Sequence, residues 1–314
     1  MDTPSDPATH ASDIARRMAK VRTKRELAAL FRHLGMRCQK RLGQNFLVDH
    51  NLLGFMVRAA EVGPDDLAVD IGCGTGLLLG HLADGAAHAI GIEVDRRLLA
   101  ICSRYLEGRA NVTLLRGDAL ASKRRLAPLL LEALAREWAT GRYEALRVVS
   151  NLPYSVASLI VPNLLEAGLP LAVVLVTVQK EVADRLAAEP HSKQYGALSV
   201  VAQAHARVEV VRGVPPQVFW PRPKVESAIV RLVPRREGRE GIDDYARFQQ
   251  VVRAAFAHRR KSVANALATA HSLGDKAAVD VAVARCGIGP GQRAEHVSLP
   301  QYVALANELT AREG

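Results

Sequence analysis

The chain has 314 residues and a formal net charge of +10, and 49% of its residues are hydrophobic. This length accommodates one large domain and a smaller one, and the positive charge favours a polyanionic partner. Its four cysteines form no C-x-x-C pair, which indicates a cytoplasmic protein with reduced thiols and no bound metal. Its apolar runs are far shorter than the roughly 20 residues that span a bilayer, which indicates no membrane anchor.

The first 37 residues are polar and basic, and we interpret residues 1–37 as an N-terminal extension. We predict disorder for residues 1–12 and a basic helical pattern over Asp13–Leu34. An arginine-rich helix is typical of an RNA-binding arm or a transit peptide, or simply of a solvated helix packed on the core. The early acids Asp2 and Asp6 argue against a transit peptide. The other two interpretations stay equally open.

The first clear strand signal is the apolar run Leu67–Ile71, which carries Asp70 near its end. It is followed by the glycine-rich segment Gly72–Gly76 and a helix-like run. Glycines after a strand let backbone approach a ligand, and the next helix presents its N-terminus. A dinucleotide fingerprint needs a third glycine where this chain has Leu77 or Leu79. The G-x-G-x-G spacing instead resembles motif I of class I S-adenosylmethionine methyltransferases.

Two further strand signals each end at an acidic side chain. His88–Val94 carries Glu93, and Val112–Leu115 is followed by Asp118. In an open α/β sheet, ligands bind outside the carboxyl ends of the strands. We therefore expect Glu93 to accept hydrogen bonds from ribose hydroxyls and Asp118 to accept from an adenine amino group.

The apolar run Leu146–Val149 predicts a buried strand that ends at the tetrad Asn151-Leu152-Pro153-Tyr154. The Asn151 side-chain carbonyl and the backbone carbonyl at Pro153 are suited to accept from the exocyclic amino group of a nucleobase. Tyr154 offers a ring for stacking. An ordinary proline turn is the alternative. After the glycine segment, the tetrad favours a site that holds a base amino group beside a methyl donor.

The rest of the chain predicts the end of the sheet and then helices. Three later strand signals are Leu171–Val178, Val208–Val211 and Val225–Val233. The first is almost wholly apolar, as expected of a central strand with both faces covered. The charged, glycine-rich segment Arg235–Gly241 predicts a linker. Beyond it, residues 245–270 and 277–309 have helical periodicity and predict a small helical domain.

These motifs together resemble the ribosomal RNA adenine N6,N6-dimethyltransferase family, from about residue 38 to the end. The matching segments are Gln39–Asp49, Tyr195–Val200, Phe219–Ala228, Phe256–Lys261 and Arg293–Ser298. The resemblance implies an α/β fold, a Rossmann-like class I methyltransferase sheet with a small C-terminal all-helical domain. It implies a methyltransferase domain over residues 38–234 and a helical RNA-binding domain over residues 242–314.

The resemblance also implies the reaction and the residues that serve it. S-adenosylmethionine would be the cofactor, and the product would be N6,N6-dimethyladenosine at two adjacent adenosines of small-subunit (16S-type) ribosomal RNA, formed during ribosome assembly. The cofactor contacts would be Asn45, Leu47, Gly72, Gly74, Glu93, Asp118 and Asn151. The catalytic positions would be Asn151, Pro153 and Tyr154, with Phe219 as a second stacking ring. RNA contacts would come from Arg222, Lys224, Arg259, Arg260 and Lys261. The partner would be rRNA in the small subunit or its precursor, bound by a monomer.

The chain departs from the family pattern in its RNA-facing parts. Trp220 and Arg222 interrupt a run that is richer in proline in the family, and a basic patch, Lys123–Arg125, lies in a long segment before the tetrad. Two alternatives stay open. One is a large-subunit rRNA adenine methylase of the antibiotic-resistance type, and the other is a non-catalytic assembly or transcription factor on the same fold. Leu152 and the Phe256–Lys261 segment favour the small-subunit enzyme, and the intact tetrad argues against a non-catalytic factor.

Overall fold

The computed structural model describes residues 7–235, 241–258 and 260–311. The chain divides into two compact units. The first holds the chain up to Ala183 together with Glu209–Val233, and the second holds Asp184–Val208 together with the chain from Pro234 on. Most of the predicted linker, residues 236–240, lies outside the described residues.

The helices and strands alternate through most of the stretch between residues 46 and 186. In chain order, the strands are β1 Phe46–Leu47, β2 Asp66–Ile71, β3 His88–Glu93, β4 Val112–Arg116, β5 Leu120–Ser122, β6 Arg125–Leu126, β7 Ala145–Asn151, β8 Leu171–Gln179, β9 Ala206–Val214, β10 Phe219–Trp220 and β11 Ser227–Pro234. The α-helices of the described residues are α1 Pro7–Ala19, α2 Lys24–His33, α3 His50–Ala59, α4 Leu77–Gly85, α5 Arg96–Tyr105, α6 Pro128–Trp138, α7 Ala157–Glu166, α8 Lys180–Leu186, α9 Ala197–His205, α10 Tyr245–Ala257, α11 Val263–Leu267, α12 Lys276–Arg285 and α13 Leu299–Thr310.

A seven-stranded sheet forms the centre of the first unit, in the order β4-β3-β2-β7-β8-β11-β9. Strands β4, β3, β2, β7 and β8 are parallel, and β11 is antiparallel to β8. The chain builds outward from β2 to β4 and then returns to place β7 on the other side of β2. This reversal opens a crevice at the carboxyl ends of β2 and β7, where open α/β sheets bind their ligands.

Burial explains why these segments form the central strands. Every residue of β2 is buried, and most of β8 is buried as well. Parallel strands covered on both faces by helices need such continuous apolar runs. In the residues that the structure describes, no helix is both long and apolar enough to cross a membrane.

The N-terminal helices α1 and α2 belong to the first unit. Thr23 caps α2 in a capping box with Glu26, and the buried ring of Phe31 lies 5.4 Å from Phe46 and 4.9 Å from Trp220, measured between ring centroids. The extension thus packs on the core, which is one of the two interpretations that its sequence left open. Disorder was predicted for residues 1–12, but α1 begins at Pro7; residues 1–6 lie outside the described part.

The second unit is built from helices, as predicted for the C-terminal part. Its core includes the fully buried rings of Phe248 and Tyr302. Tyr195 and Val200, which the predicted boundaries assign to the sheet domain, are buried in this helical core. The segment Asp184–Val208 therefore packs with the C-terminal helices, because its apolar side chains find their partners there.

Candidate active site

A cavity of about 310 Å³ lies at the carboxyl ends of β2, β3, β4 and β7. This size is within the range typical of small-molecule sites, roughly 300–1,000 Å³. Its lining includes Arg41, Asn45, Gly72, Gly74, Glu93, Asp118, Asn151, Leu152 and Pro153. Leu47 lines a smaller cavity that shares Gly72, Gly74 and Asn151 with the first. The fold thus brings the predicted cofactor residues to one place.

The glycine segment after β2 forms a tight cradle. Gly72, Gly74 and Gly76 have φ angles of +74°, +57° and +87°, a left-handed conformation that other residues rarely adopt. A Cβ atom on Gly72 would stand 3.1 Å from Cδ of Pro153, and one on Gly76 would stand 2.6 Å from Sγ of Cys102. The chain therefore needs glycine here to hold its backbone against the tetrad and leave room for a ligand.

Glu93 is buried at the end of β3, and backbone amides fix its carboxylate. The Gly74 N–H donates to Oε2 at 2.9 Å, and the Asp95 N–H donates to Oε1 at 2.8 Å. Burial raises the pKa of Glu93, and these hydrogen bonds oppose the rise. Each carboxylate oxygen keeps a further lone pair for a ligand donor. Asp118, exposed just after β4, accepts from the Leu120 N–H at 2.9 Å through Oδ1, and its Oδ2 has no hydrogen bond among the described residues.

Asp70, near the end of β2, also lies at the site, although its sequence position predicted no ligand contact for it. It is 2% exposed, and its Oδ1 has no hydrogen-bond partner among the described residues. Burial, with repulsion from Glu93, raises the pKa of Asp70 to about 8. It lines the smaller cavity. The available signal was an acid inside an otherwise apolar strand, which is costly unless something binds it.

Asp95 fastens the segment Gln39–Asp49 over the cavity. Its Oδ2 accepts from Nε2 of Gln39 at 2.6 Å and from Nε2 of Gln44 at 3.1 Å. Its Oδ1 accepts from the Arg97 N–H and caps α5. The sequence signal for this role was weak, because the two glutamines and the aspartate lie about 50 positions apart.

The amide of Asn151 is held in one orientation at the end of β7. Its Nδ2 donates to the backbone carbonyl of Asn45 at 2.8 Å, while its buried Oδ1 has no partner in the part of the chain that the structure describes. A buried acceptor without a partner is costly. Asn151 lines both cavities, and we therefore expect this oxygen to accept from a donor bound there.

The second predicted acceptor, the Pro153 carbonyl, is not available. It accepts from the N–H groups of Val156 and Ala157 at 3.1 and 3.2 Å, at the turn that begins α7, and these two bonds use both of its lone pairs. The neighbouring Leu152 carbonyl receives no backbone N–H among the described residues. Leu152 also lines the cavity, and its carbonyl is therefore the better candidate for the second acceptor.

Tyr154 and Phe219, the predicted stacking rings, differ in exposure. Tyr154 is half-buried, its hydroxyl hydrogen-bonded to Oγ of Ser227 at 2.5 Å. The Phe219 ring meets it edge-on at 6.4 Å between centroids. Phe219 itself is fully buried in β10, opposite Leu47 of β1. The structure thus places Phe219 as support for Tyr154, and a stacking role for either ring stays a prediction.

The predicted RNA-binding residues lie outside the cavity. Arg222 and Lys224 are exposed between β10 and β11. Arg260 and Lys261 are exposed in the turn between α10 and α11, which interrupts the helical pattern predicted over residues 245–270. Arg259 falls outside the described residues. Among those described, no three His, Cys, Asp or Glu side chains are placed to hold a metal ion.

Comparisons with known proteins show which family the chain is similar to. The model of the ribosomal RNA adenine dimethylase family matches residues 35–311. The chain is 41% identical over 294 residues to ribosomal RNA small subunit methyltransferase A of Moorella thermoacetica, covering 93% of this chain and 99% of that protein. It is 39% identical over 279 residues to the protein of the same name from Bacillus mycoides, covering 88% and 92%.

Two solved structures are similar to the chain as a whole. One is the 23S rRNA methyltransferase ErmE, with 26% identity, a TM-score of 0.61, and coverage of 85% of this chain and 100% of that one. The other is a dimethyladenosine transferase from Plasmodium falciparum, with 22% identity, a TM-score of 0.66, and coverage of 84% and 96%. The likeness confirms the predicted class I methyltransferase fold.

Proposed function

The chain belongs to the ribosomal RNA adenine dimethylase family and is a methyltransferase, and we propose that it dimethylates N6 of two adjacent adenosines in small-subunit rRNA, using S-adenosylmethionine, during ribosome assembly. The relatives at about 40% identity, both named for the small subunit, support that substrate over the large subunit. In this proposal the protein acts as a cytoplasmic monomer on the small subunit or its precursor.

The observation that carries the proposal is the unused acceptor of Asn151. Its Oδ1 is buried and lacks a partner within the described residues, although the Nδ2 of the same amide is firmly held by Asn45. An amino group with two hydrogens, such as adenine N6, matches Oδ1 together with the Leu152 carbonyl. These two acceptors would fix the plane of the N6 hydrogens.

The residues present fit S-adenosylmethionine. The positive φ angles of Gly72 and Gly74 let the backbone approach the ligand, Glu93 offers free lone pairs to ribose hydroxyls, and Asp118 keeps one oxygen for the adenine amino group. Asn45 and Leu47 would close over the ligand from the 39–49 segment. The buried Asp70 carboxyl beside the smaller cavity, whose Oδ1 has no hydrogen-bond partner among the described residues, suits the cationic amino-acid part of the ligand.

The chain's contribution to the reaction is mainly orientation. S-adenosylmethionine supplies a methyl group that is activated by its bond to a sulfonium. Asn151 and Leu152 draw the N6 hydrogens toward their oxygens and so favour a more tetrahedral nitrogen with an available lone pair. Tyr154 would support the flipped base. Flipping costs a few kcal/mol, least for an unpaired base, and well-oriented reactants recover about 7–11 kcal/mol of the barrier. The surplus proton leaves to solvent, so no strong base is required.

Methyl incorporation tests the proposal. Purified protein would be incubated with labelled S-adenosylmethionine and with small or large ribosomal subunits that lack the modification. Digestion to nucleosides should yield N6,N6-dimethyladenosine from the small subunits. Label confined to large subunits would favour the large-subunit alternative, and no label in either would favour the non-catalytic factor.

Calorimetry tests the cofactor separately. The protein should bind S-adenosylmethionine and should not bind NAD, because the glycine spacing lacks the dinucleotide fingerprint. Tight binding of NAD, with no heat from S-adenosylmethionine, would contradict the assignment of the cavity.

A further inference from the structure

The short hairpin of β5 and β6 adjoins the cavity, because Asp118 and Ala119 at its base line it. It begins directly after Asp118, whose Oδ1 accepts from the Leu120 N–H at 2.9 Å. The Ala127 N–H donates to the Ala119 carbonyl at 2.8 Å and closes the base of the hairpin. Leu126 is 4% exposed and anchors β6. The hairpin is therefore fixed to a residue that lines the proposed cofactor site.

The tip of the hairpin is also fastened to α7, the helix that follows the tetrad. The buried Asn163 of α7 donates from Nδ2 to the Lys123 carbonyl at 3.2 Å. Inside the tip, the Arg124 N–H donates to Oγ of Ser122 at 3.3 Å. These contacts place the tip between Asp118, at the end of β4, and the helix that follows the acceptor residues.

Three adjacent cations occupy this tip. Lys123, Arg124 and Arg125 are all exposed, and among the described residues none of their side chains forms an ion pair or a hydrogen bond. Other cations of the same unit are paired, as Arg147 is with Asp66 at 2.5 Å and Arg109 with Asp84 at 2.6 Å. Three neighbouring positive charges repel one another, and no acid among the described residues forms an ion pair with them.

Two more cations extend the positive surface toward the cavity. Arg41 lines the cavity, and Arg116 is exposed at the end of β4. A nucleotide whose base enters the cavity keeps its flanking phosphates at the mouth. Lysine and arginine are the side chains that bind such phosphates, and arginine does so in a bidentate manner. The charge and the position of the hairpin thus match the backbone of the strand that carries the target base.

We propose that Lys123, Arg124 and Arg125 bind backbone phosphates of the substrate RNA beside the target adenosine. This inference rests on the proposed function and assigns an RNA-binding role to the hairpin. Phosphate contacts position a nucleic acid without reading its sequence. The hairpin should therefore increase affinity for the RNA and leave the chemical step to the tetrad.

The test compares three triple variants of the full-length protein. The first neutralises the tip: Lys123→Gln, Arg124→Gln and Arg125→Gln. The matched control removes the same amount of charge elsewhere: Arg58→Gln, Arg104→Gln and Arg136→Gln. These residues lie near the ends of α3, α5 and α6, which lead to the amino ends of the parallel strands, away from the cavity. The third keeps the charge at the tip: Lys123→Arg, Arg124→Lys and Arg125→Lys.

Affinity for unmodified small ribosomal subunits would be measured across a range of salt concentrations. Each phosphate contact contributes about 0.7 to the slope of log affinity against log salt for a single strand, so the neutralised tip should lower the slope by about 2. The control and the charge-keeping variant should keep the wild-type slope. In steady-state methylation, the neutralised tip should raise the KM for RNA and leave kcat within about twofold, since phosphate contacts act on binding.

An unchanged slope for the neutralised tip, in a protein that still methylates rRNA, would overturn this inference and leave the proposed function intact. An equal fall in slope for the matched control would overturn it as well, because general charge would then suffice. Wild-type protein that neither binds nor methylates rRNA would overturn the proposed function together with the inference. Calorimetry with S-adenosylmethionine checks that each variant keeps an intact cavity.

Discussion

Replacement of Asn151 by alanine tests the clamp on which the proposed reaction depends. The substitution removes Oδ1, the buried acceptor without a described partner, and the Nδ2 bond to Asn45 of 2.8 Å. It leaves the glycine segment, Glu93 and Asp118 in place. The variant should therefore fold and bind S-adenosylmethionine but transfer methyl groups slowly.

The structure sets the expected magnitudes. Loss of the Nδ2 hydrogen bond costs about 1 kcal/mol of stability, whereas removal of an unsatisfied buried acceptor relieves about 1–3 kcal/mol. The two effects oppose each other, so the free energy of unfolding should change by no more than about 2 kcal/mol. In the transition state, one preorganised hydrogen-bonding group is typically worth about 10²–10³ in rate. The methyl-transfer rate constant of Asn151→Ala should fall by that factor.

Single-turnover methylation with saturating donor and RNA separates this loss from any change in binding. The matched control is Asn111→Ala. Nδ2 of Asn111 donates to the Ala83 carbonyl at 2.7 Å and to the Ala86 carbonyl at 3.4 Å. Asn111 lies just before β4 and thus at the amino ends of the parallel strands, away from the cavity. The control removes these side-chain hydrogen bonds and should leave the transfer rate unchanged.

A transfer rate for Asn151→Ala within about threefold of wild type would refute the clamp, even if the family is right. An equal loss of rate in Asn111→Ala would also refute the reasoning, because a general loosening of the sheet would then explain the effect.

Three further predictions concern the residues around the cavity. Burial raises the folded pKa of Asp70 to about 8, against 3.8 for the free side chain, so the contribution of Asp70 to stability should fall as pH rises from about 4 to about 8. Asp70→Asn should lack this contribution, and chemical denaturation that shows a constant difference in stability between the two proteins across this range would contradict the shift. Gly76→Ala should destabilise the protein by about 2–4 kcal/mol, from its left-handed φ and from crowding against Cys102; a Cys102→Ala background should recover only the crowding part in thermal unfolding. Asp95→Ala should weaken the affinity for S-adenosylmethionine about tenfold in calorimetry, because the 39–49 segment loses two amide contacts. The control Asp275→Ala removes only the cap of α12 and should keep the wild-type affinity; equal affinities of Asp95→Ala and wild type would argue against a closing role for that segment.

The central strands β2 and β8 could be predicted from the sequence because they are largely buried on both faces. The apolar run Leu67–Ile71 becomes β2, which starts one residue earlier at Asp66. The predicted strands from Leu171 and from Val225 likewise correspond to β8 and β11 within about two residues. Parallel strands need continuous apolar side chains, and this local requirement is visible without the fold. Glycine spacing and acids at strand ends are likewise local features, and the residues that they predicted line one cavity.

The features that sequence reasoning missed depend on contacts between distant segments. Burial of Phe219 results from its pairing with Leu47, and Asp95 receives its amides from the 39–49 segment. The Pro153 carbonyl already accepts two N–H groups, because the turn that begins α7 follows the tetrad. The segment Asp184–Val208 belongs to the helical unit. Its apolar side chains are of the same types as those in both cores, so the sequence does not show which core they join. Local patterns carry no information about which partner a side chain finds.

The most direct test of the central claim is the position of the modified nucleotides. Small subunits that lack the modification would be treated with the protein and S-adenosylmethionine, and the methylated residues would then be located in the rRNA by mass spectrometry of defined fragments. The account predicts two methyl groups on N6 of each of two neighbouring adenosines in small-subunit rRNA, and none after treatment with Asn151→Ala on the same timescale. Methylation of another base, of a single isolated adenosine, or of large-subunit rRNA would contradict it.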